Sequence, residues 1–154
     1  MKKKLLPSKG VRLIMEQHEV KKNIENIISN SSTGIMATVK GNMPHSRYMT
    51  FFNDGLTLYT PTGKDTDKAE EISENPNTHI LLGYEGDGFG DEYVEYEGSI
   101  TMKGDKQLKE KLWDDNMKAW FDGPDDPNLI VLQITPKQIR LKNKKGHPSE
   151  TLEL

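Results

Sequence analysis

The segment HSRYMTFF, His45–Phe52, has the composition and alternation of a β-strand, and the fold can be inferred by working outward from it. Side chains on a strand alternate between its two faces. Phe51 therefore shares a face with Arg47, while Tyr48 lies on the opposite face. Because both faces carry aromatic residues, we predict a central strand that is largely covered on both sides.

Arg47 needs an anionic partner on a strand of this kind, because burying an unpaired charge is costly. One interpretation is a structural ion pair with one of the 24 acidic residues of the chain. The other is that the guanidinium group holds a phosphate through two parallel hydrogen bonds. The pattern of the strand is compatible with both interpretations.

Further strand-like segments, separated by turn residues, lie on both sides of this stretch. The predicted strands are Thr33–Val39, His45–Phe52, Leu56–Thr60, Thr78–Tyr84, Tyr93–Met102 and Asn128–Ile134, with Gln138–Leu141 as a continuation past Pro136. The predicted helices are Glu19–Ser29, Asp65–Glu74 and Lys106–Trp120. We expect the first three strands to form an antiparallel meander. Because short turns join the strands, we predict a mainly β fold with flanking helices, in which six to seven antiparallel strands form a closed or half-closed barrel.

The length of 154 residues fits a single domain, 1–154. Within it we expect residues 1–15 to be an N-terminal extension and residues 143–154 to be a polar, mobile tail. A hydrophobic content of 33% is lean, which favours a core that a partner subunit or a cofactor completes. The net charge is −3, and the sequence has no stripe of basic residues that could neutralise phosphates. We therefore do not expect nucleic-acid binding.

The absence of cysteine excludes disulfides, thiolate metal sites and a cysteine nucleophile. The four histidines lack the spacing of metal ligands, so we expect no metal site. The apolar run at Leu5 and Leu6 is too short for a signal peptide, and no stretch approaches the length of a membrane helix. We therefore expect a cytoplasmic protein that does not insert into a membrane.

The segment Tyr59–Lys68 contains a strand end, a loop at Pro61–Lys64 and a helix start. A helix N-terminus offers free N–H groups and the positive end of the helix dipole, which suits a phosphate. Lys64 and Lys68 oppose that dipole, and an anion bound between the helix end, Lys68 and Arg47 would resolve the conflict. The alternative is that acidic neighbours already compensate the dipole and leave two solvated lysines.

The segment Trp113–Phe121 places two tryptophans and a phenylalanine within nine residues. The residues near one face of the predicted helix are Trp113, Met117, Trp120 and Phe121. Packing in the protein core is the ordinary interpretation of such a stripe. The alternative is a surface on which a flat aromatic ring system or a second subunit packs.

Two groups of residues resemble a known family. The strand Arg47–Phe52, the strand Leu56–Thr60 and the helix from Lys68 to Pro76 resemble the flavin-binding core of the pyridoxamine 5'-phosphate oxidase-like superfamily. The later segment Leu112–Pro127 is similar to the general stress protein 26 branch of that superfamily. The resemblance covers about residues 20–142.

The resemblance implies a split β-barrel homodimer with two flavin sites at the subunit interface. FMN is the first expectation for the cofactor, and FAD is the alternative. By this resemblance Arg47 is the main contact to the flavin phosphate and Lys68 the second, with neutral hydrogen bonds from threonines nearby. The implied cofactor-binding residues are Arg47, Tyr48, Met49, Tyr59, Thr60, Thr62, Lys68, Trp113 and Trp120.

The sequence also departs from the oxidases of this superfamily. Asp67 stands where they carry a basic residue before the phosphate-binding lysine, and the short tail has no counterpart to their C-terminal substrate-recognition segment. Oxidation of pyridoxamine phosphate is therefore not expected. The expected function is a flavin-dependent oxidoreductase of unknown substrate, and the alternative is a non-catalytic flavin-binding or storage protein. The resemblance assigns no catalytic acid or base.

Overall fold

The computed structural model describes residues 15–86, 91–144 and 147–154 of the chain. Within these ranges it contains three α-helices, one 3₁₀ helix and eight β-strands. The helices are α1 (Gln17–Asn30), α2 (Asp67–Glu74) and α3 (Lys106–Leu112), followed by the 3₁₀ helix Asp115–Ala119. The strands are β1 (Thr33–Lys40), β2 (Met43–Thr50), β3 (Phe52–Asp54), β4 (Thr57–Gly63), β5 (Asn77–Leu82), β6 (Tyr93–Lys103), β7 (Leu129–Lys142) and β8 (Glu150–Leu152).

The strands form one antiparallel sheet whose two ends come together. Seven strands follow the order β2-β1-β5-β6-β7-β4-β3, and β8 pairs with β7. The end strands β2 and β3 are consecutive in the chain, with Phe51 between them. The Thr60 hydroxyl on β4 donates a hydrogen bond of 2.6 Å to the Thr50 carbonyl at the end of β2. The sheet is therefore a half-closed barrel, which confirms the predicted mainly β architecture.

The hydrophobic core lies where the buried faces of β6 and β7 meet α1. Ile24 on α1, Tyr96 on β6 and Ile139 on β7 are fully buried. The Tyr96 hydroxyl lies 2.6 Å from the Leu56 carbonyl and 3.0 Å from the Ile134 carbonyl. Its proton therefore has a partner inside the core, where an unpaired hydroxyl would be costly.

The predicted meander is wrong at its second pairing. β1 and β2 do form an antiparallel hairpin, but β4 pairs with β3 and β7 and not with β2. The chain changes direction at Phe51, whose side chain is buried and whose N–H donates to the Ser32 carbonyl at 2.7 Å. The prediction of a central, covered β2 is also wrong, because β2 lies at an edge of the sheet and most of its residues are exposed.

Several element boundaries differ from the sequence prediction. The predicted loop Pro61–Lys64 is largely strand, because β4 continues to Gly63 in register with β7. The two predicted segments of β7 form one strand of 14 residues. Pro136, which lacks an N–H, is accommodated by a register shift opposite Glu97 and Gly98.

The N-terminal end of the chain is only partly described, and the C-terminal end differs from the prediction. The N-terminal extension lies in residues 1–14, outside the described residues, whereas Met15 is buried in the core. The expected mobile tail is wrong for 150–152, which form β8 with Leu152 buried. The Gln17 side chain on α1 hydrogen-bonds the backbone on both sides of Leu152 and holds this strand in place. None of the helices in the described ranges has the length and apolar character of a membrane span.

Candidate functional site

A cavity of about 670 Å³, called the main cavity below, opens between the end of β2, β4, the start of α2 and the segment 114–121. Its volume lies within the range of about 300–1,000 Å³ that is usual for cofactor and small-molecule sites. The lining combines aromatic and apolar side chains with threonines, carboxylates and one lysine. The lining residues are Tyr48, Met49, Thr50, Phe52, Thr60, Pro61, Thr62, Gly63, Asp65, Thr66, Lys68, Asp114, Asn116, Met117, Trp120, Phe121 and Asn128.

The strand wall of the cavity is built on β2 and β4. Thr60 and Thr62 lie on the buried face of β4, as the alternation of a strand requires. The Thr60 hydroxyl already donates to the Thr50 carbonyl, so it meets a ligand mainly as an acceptor. Tyr48 on β2 is 76% exposed although it borders the cavity, so the ring is available to a ligand or a second protein.

The polar end of the cavity lies at the start of α2. Thr66 is the N-cap residue: its hydroxyl oxygen accepts from the Ala69 N–H at 3.3 Å and its proton is donated to the Gly63 carbonyl at 3.0 Å. Asp67 and Glu70 place negative charge in the first turn of the helix. Lys68 follows the cap and brings a positive charge to the cavity.

Lys68 has an unfavourable environment for its charge in the absence of an anion. Burial lowers the pKa of the Lys68 ammonium group, and the nearby Arg47 guanidinium lowers this pKa further, whereas Glu71 acts in the opposite direction. A partly buried ammonium group beside a guanidinium group favours the binding of an anion, since an anion would offset both effects. This end of the main cavity is therefore suited to a phosphate.

Arg47 belongs to a partly buried polar cluster near Lys68. Its Nη1 donates to the Thr38 hydroxyl at 2.7 Å, and its Nη2 lies 3.3 Å from the Glu71 carboxylate. Glu71 also accepts a 2.7 Å hydrogen bond from the Thr38 hydroxyl, and the His45 ring lies 3.7 Å from its second oxygen. The hydrogen bond from Thr38 and the charge of Arg47 lower the pKa of the Glu71 carboxyl, although burial acts against them. The structural ion pair considered for Arg47 is therefore present.

The segment after α3 forms the opposite wall of the cavity. The predicted helix Lys106–Trp120 is wrong as a continuous element, because it breaks after Leu112 and resumes as the short 3₁₀ helix. The Asp114 side chain accepts from the Asn116 N–H at 2.8 Å and fixes the start of this turn. Trp120 is 77% exposed, so the aromatic stripe is not packed in the core of this chain.

The nine predicted cofactor-binding residues, all of which the structure describes, do not all reach the main cavity. Six line it: Tyr48, Met49, Thr60, Thr62, Lys68 and Trp120. The other three lie elsewhere: Arg47 is held by Glu71, Tyr59 pairs with Phe52 and Gln133 in the sheet, and the Trp113 indole donates to Asp115 at 3.3 Å. The strand alternation that buries Thr60 and Thr62 turns Tyr59 to the other face.

Some cavity residues were missed by the sequence analysis. Phe52, Phe121 and Asn128 line the main cavity but were not predicted as site residues. Phe52 follows the change of direction at Phe51, which the alternation pattern does not show. Asn128 is placed by Asp126, which accepts from its N–H at 2.8 Å and from that of Asp122 at 2.9 Å. The run of Gly, Pro and Asp at 122–127 is a signal for such an ordered turn.

Comparisons with known proteins agree with this geometry. The family model described as pyridoxamine 5'-phosphate oxidase matches residues 20–143. General stress protein 26 of Bacillus subtilis is 51% identical over 140 residues, which are 91% of this chain and 100% of that protein.

Solved structures with a similar fold include a general stress protein 26. The crystal structure of general stress protein 26 from Bacillus anthracis has a TM-score of 0.79 and 35% identity, covering 88% of this chain and 99% of that one. An FAD-binding protein from Mesorhizobium loti has a TM-score of 0.66 and 18% identity, covering 77% of this chain and 90% of that one, which shows the shared fold alone. The chain therefore belongs to the pyridoxamine 5'-phosphate oxidase family, among the relatives that carry the name general stress protein 26.

Proposed function

We propose that the protein binds a flavin in the main cavity and acts as a flavin-dependent oxidoreductase, with FMN as the first candidate and FAD as the alternative. The observation that supports this proposal is the composition of the cavity lining. It combines Lys68, beside the start of α2, with exposed aromatic rings. A flavin mononucleotide has two corresponding parts, an anionic phosphate and a flat aromatic ring system.

The residues present fit such a ligand. Lys68 would form a charge-assisted hydrogen bond with the phosphate, and Arg47 would add positive charge from behind. Tyr48, Met49 and Trp120 offer the apolar surface on which a flat ring packs. Thr60 and Thr62 are the polar groups of the strand wall and would face the chain that joins ring and phosphate. The described lining therefore supplies each type of contact that the ligand needs.

The bound flavin would supply the redox chemistry, while the protein positions it and limits access to it. The side chains of this chain would hold the phosphate, cover one face of the ring and exclude water from that face. This division of roles is compatible with the absence of an assigned acid or base.

We also propose that the protein is a homodimer in which a second subunit covers the exposed aromatic side chains. The side chains meant are Tyr48, which is 76% exposed, and Tyr84, which is 60% exposed, and β2 is an uncovered edge strand. Exposed apolar patches and free strand edges are typical of surfaces that associate. Sedimentation at micromolar concentration should show a species of twice 17.5 kDa, and a single species of 17.5 kDa would contradict the dimer.

The first test of the proposed function is the absorbance spectrum of the purified protein, followed by mass identification of any released flavin. We expect a flavin spectrum, either on purification or after addition of FMN. The second test is steady-state oxidation of NADH or NADPH with quinone or nitro acceptors. Turnover would support the oxidoreductase, whereas tight flavin binding without turnover would support the storage protein. Failure to bind any flavin would contradict both.

A further inference from the structure

Glu71 is an unusual neighbour for a site that binds an anion. Its side chain is 4% exposed and lies on α2 one turn after Lys68, the lysine of the main cavity. Its three partners are the Thr38 hydroxyl at 2.7 Å, the Arg47 guanidinium at 3.3 Å and the His45 ring at 3.7 Å. A buried carboxylate at this position is close enough to Lys68 to act on the charge of its ammonium group.

The hydrogen bonds of Glu71 do not require its charge. A glutamine side chain has the same length, and its oxygen could accept from both Thr38 and Arg47. What distinguishes the glutamate is one negative charge, which partly cancels the positive field of Arg47 and Lys68. Arg47 is moreover held on Thr38 and Glu71 and is not part of the cavity lining, although Lys68 is.

We propose that Glu71 is a specificity-determining residue that limits the affinity of the main cavity for phosphate and thereby sets its preference between phosphorylated and unphosphorylated flavins. It does so as an internal counter-anion: it occupies Arg47 and repels a phosphate bound at Lys68. The proposal rests on the proposed function, since it assigns the phosphate to the Lys68 end. Arg47 and Lys68 are cationic groups close to Glu71, and the His45 ring lies 3.7 Å from its second carboxylate oxygen.

Removal of the charge should therefore strengthen phosphate binding selectively. We expect Glu71→Gln to bind FMN about three- to tenfold more tightly than the wild type, because a unit charge a few ångströms from a phosphate is only partly screened in a half-buried site. Riboflavin has no phosphate, so its affinity should change by less than about twofold. The measured quantity is the ratio of the riboflavin and FMN dissociation constants, from flavin fluorescence titrations at fixed salt.

Two control variants separate the charge from other effects. Glu70→Gln makes the same change of charge on the same helix, but at an exposed position, and should leave the ratio unchanged. Thr38→Val removes the hydroxyl that bridges Arg47 and Glu71 without changing the net charge, so it should lower stability without reproducing the selective tightening. If Glu71→Gln does not fold, Glu71→Met removes the charge with apolar atoms of similar size and carries the same expectation.

The outcomes are distinguishable from failure of the proposed function. If the wild type binds neither flavin, that function is wrong, and inorganic phosphate becomes the probe. It should then raise the melting temperature of Glu71→Gln more than that of the wild type, with chloride at equal ionic strength as the control. The inference on Glu71 is overturned if Glu71→Gln weakens FMN binding relative to riboflavin binding or leaves the ratio of the two dissociation constants unchanged. It is also overturned if Glu70→Gln raises this ratio as much as Glu71→Gln does.

Discussion

The β6–β7 ladder and the wall of the main cavity differ in the exposure of their large side chains. In the ladder, Tyr96, Ile134 and Ile139 are fully buried, and the Tyr96 hydroxyl reaches two main-chain carbonyls. In the cavity wall, Tyr48 and Trp120 are more than three-quarters exposed. The first region is completed by its own chain, whereas the second presents surfaces that a ligand or a second subunit would complete. Stability should therefore depend on the ladder, and binding on the cavity wall.

The largest loss of stability is expected in the ladder. Ile139→Ala should lower the free energy of unfolding by about 2–5 kcal/mol, because it removes a fully buried side chain and leaves a cavity. Trp120→Ala removes a larger side chain but should change stability by less than about 0.5 kcal/mol. Chemical denaturation of the two variants without flavin measures both values. Similar losses for the two variants would remove the distinction between the regions.

Tyr96→Phe tests the contribution of a hydroxyl group that lies inside the core. The substitution leaves the ring in place but removes the hydroxyl that lies within hydrogen-bond distance of the Leu56 and Ile134 carbonyls, so we expect a loss of about 1–3 kcal/mol. Burial raises the pKa of the Tyr96 hydroxyl well above its usual value, so the loss should not vary with pH below that range. Denaturation at pH 6 and pH 8 should give the same difference.

Acid should destabilise the protein through Glu71, in the polar cluster with Thr38 and Arg47. The hydrogen bond from Thr38 and the charge of Arg47 lower the pKa of this carboxyl in the folded protein below its ordinary value of 4.5. A carboxyl with a lowered pKa contributes stability above its unfolded-state pKa, and this contribution is lost as the pH falls through the folded-state value. Near neutral pH the free energy of unfolding of the wild type should exceed that of Glu71→Gln by about 1–3 kcal/mol. The difference should shrink below pH 4.5, and a difference that is constant with pH would contradict the charged pair.

The smallest effect on stability, with a clear effect on binding, is expected for Trp120→Ala. If the indole packs on the flavin ring, the variant should bind FMN and riboflavin more weakly by the same factor, about threefold to tenfold. The equal factor follows because the contact involves the ring and not the phosphate. A titration in which Trp120→Ala leaves both affinities unchanged would place the ring elsewhere or assign Trp120 to the dimer interface.

Most of the ladder could be predicted from the sequence, but less of the cavity wall, and the reason is physical. Alternation along Tyr93–Met102 reports which side chains are buried by the same chain, and β6 follows it closely. In β2 the same alternation of aromatics was interpreted as cover on both faces, yet the strand is an exposed edge. A periodic pattern shows that a face is apolar, but not whether its cover comes from the same chain, a ligand or another subunit.

The pairing partner of Arg47 could not be predicted from the pattern either. Glu71 is 24 residues away and approaches Arg47 because α2 packs against β1 beside the β1–β2 hairpin. The sequence offered 24 acidic residues as candidates. The end of the cavity near Lys68 was easier to predict, since a strand end followed by a helix start is a local pattern. The break after Leu112 was missed because the apolar spacing continues through it, although the chain does not remain helical.

The central claim, that the Lys68 end of the main cavity holds a flavin phosphate, is tested most directly by titrating the wild type and Lys68→Gln with FMN and with riboflavin. We expect the substitution to weaken FMN binding about ten- to a hundredfold, the equivalent of one charge-assisted hydrogen bond. Lys64→Gln, which changes an exposed lysine outside the lining of the main cavity, is the matched control and should have little effect. Riboflavin affinity should stay within about twofold in each variant. Equal weakening of FMN and riboflavin by Lys68→Gln, or no weakening of either, would contradict the claim.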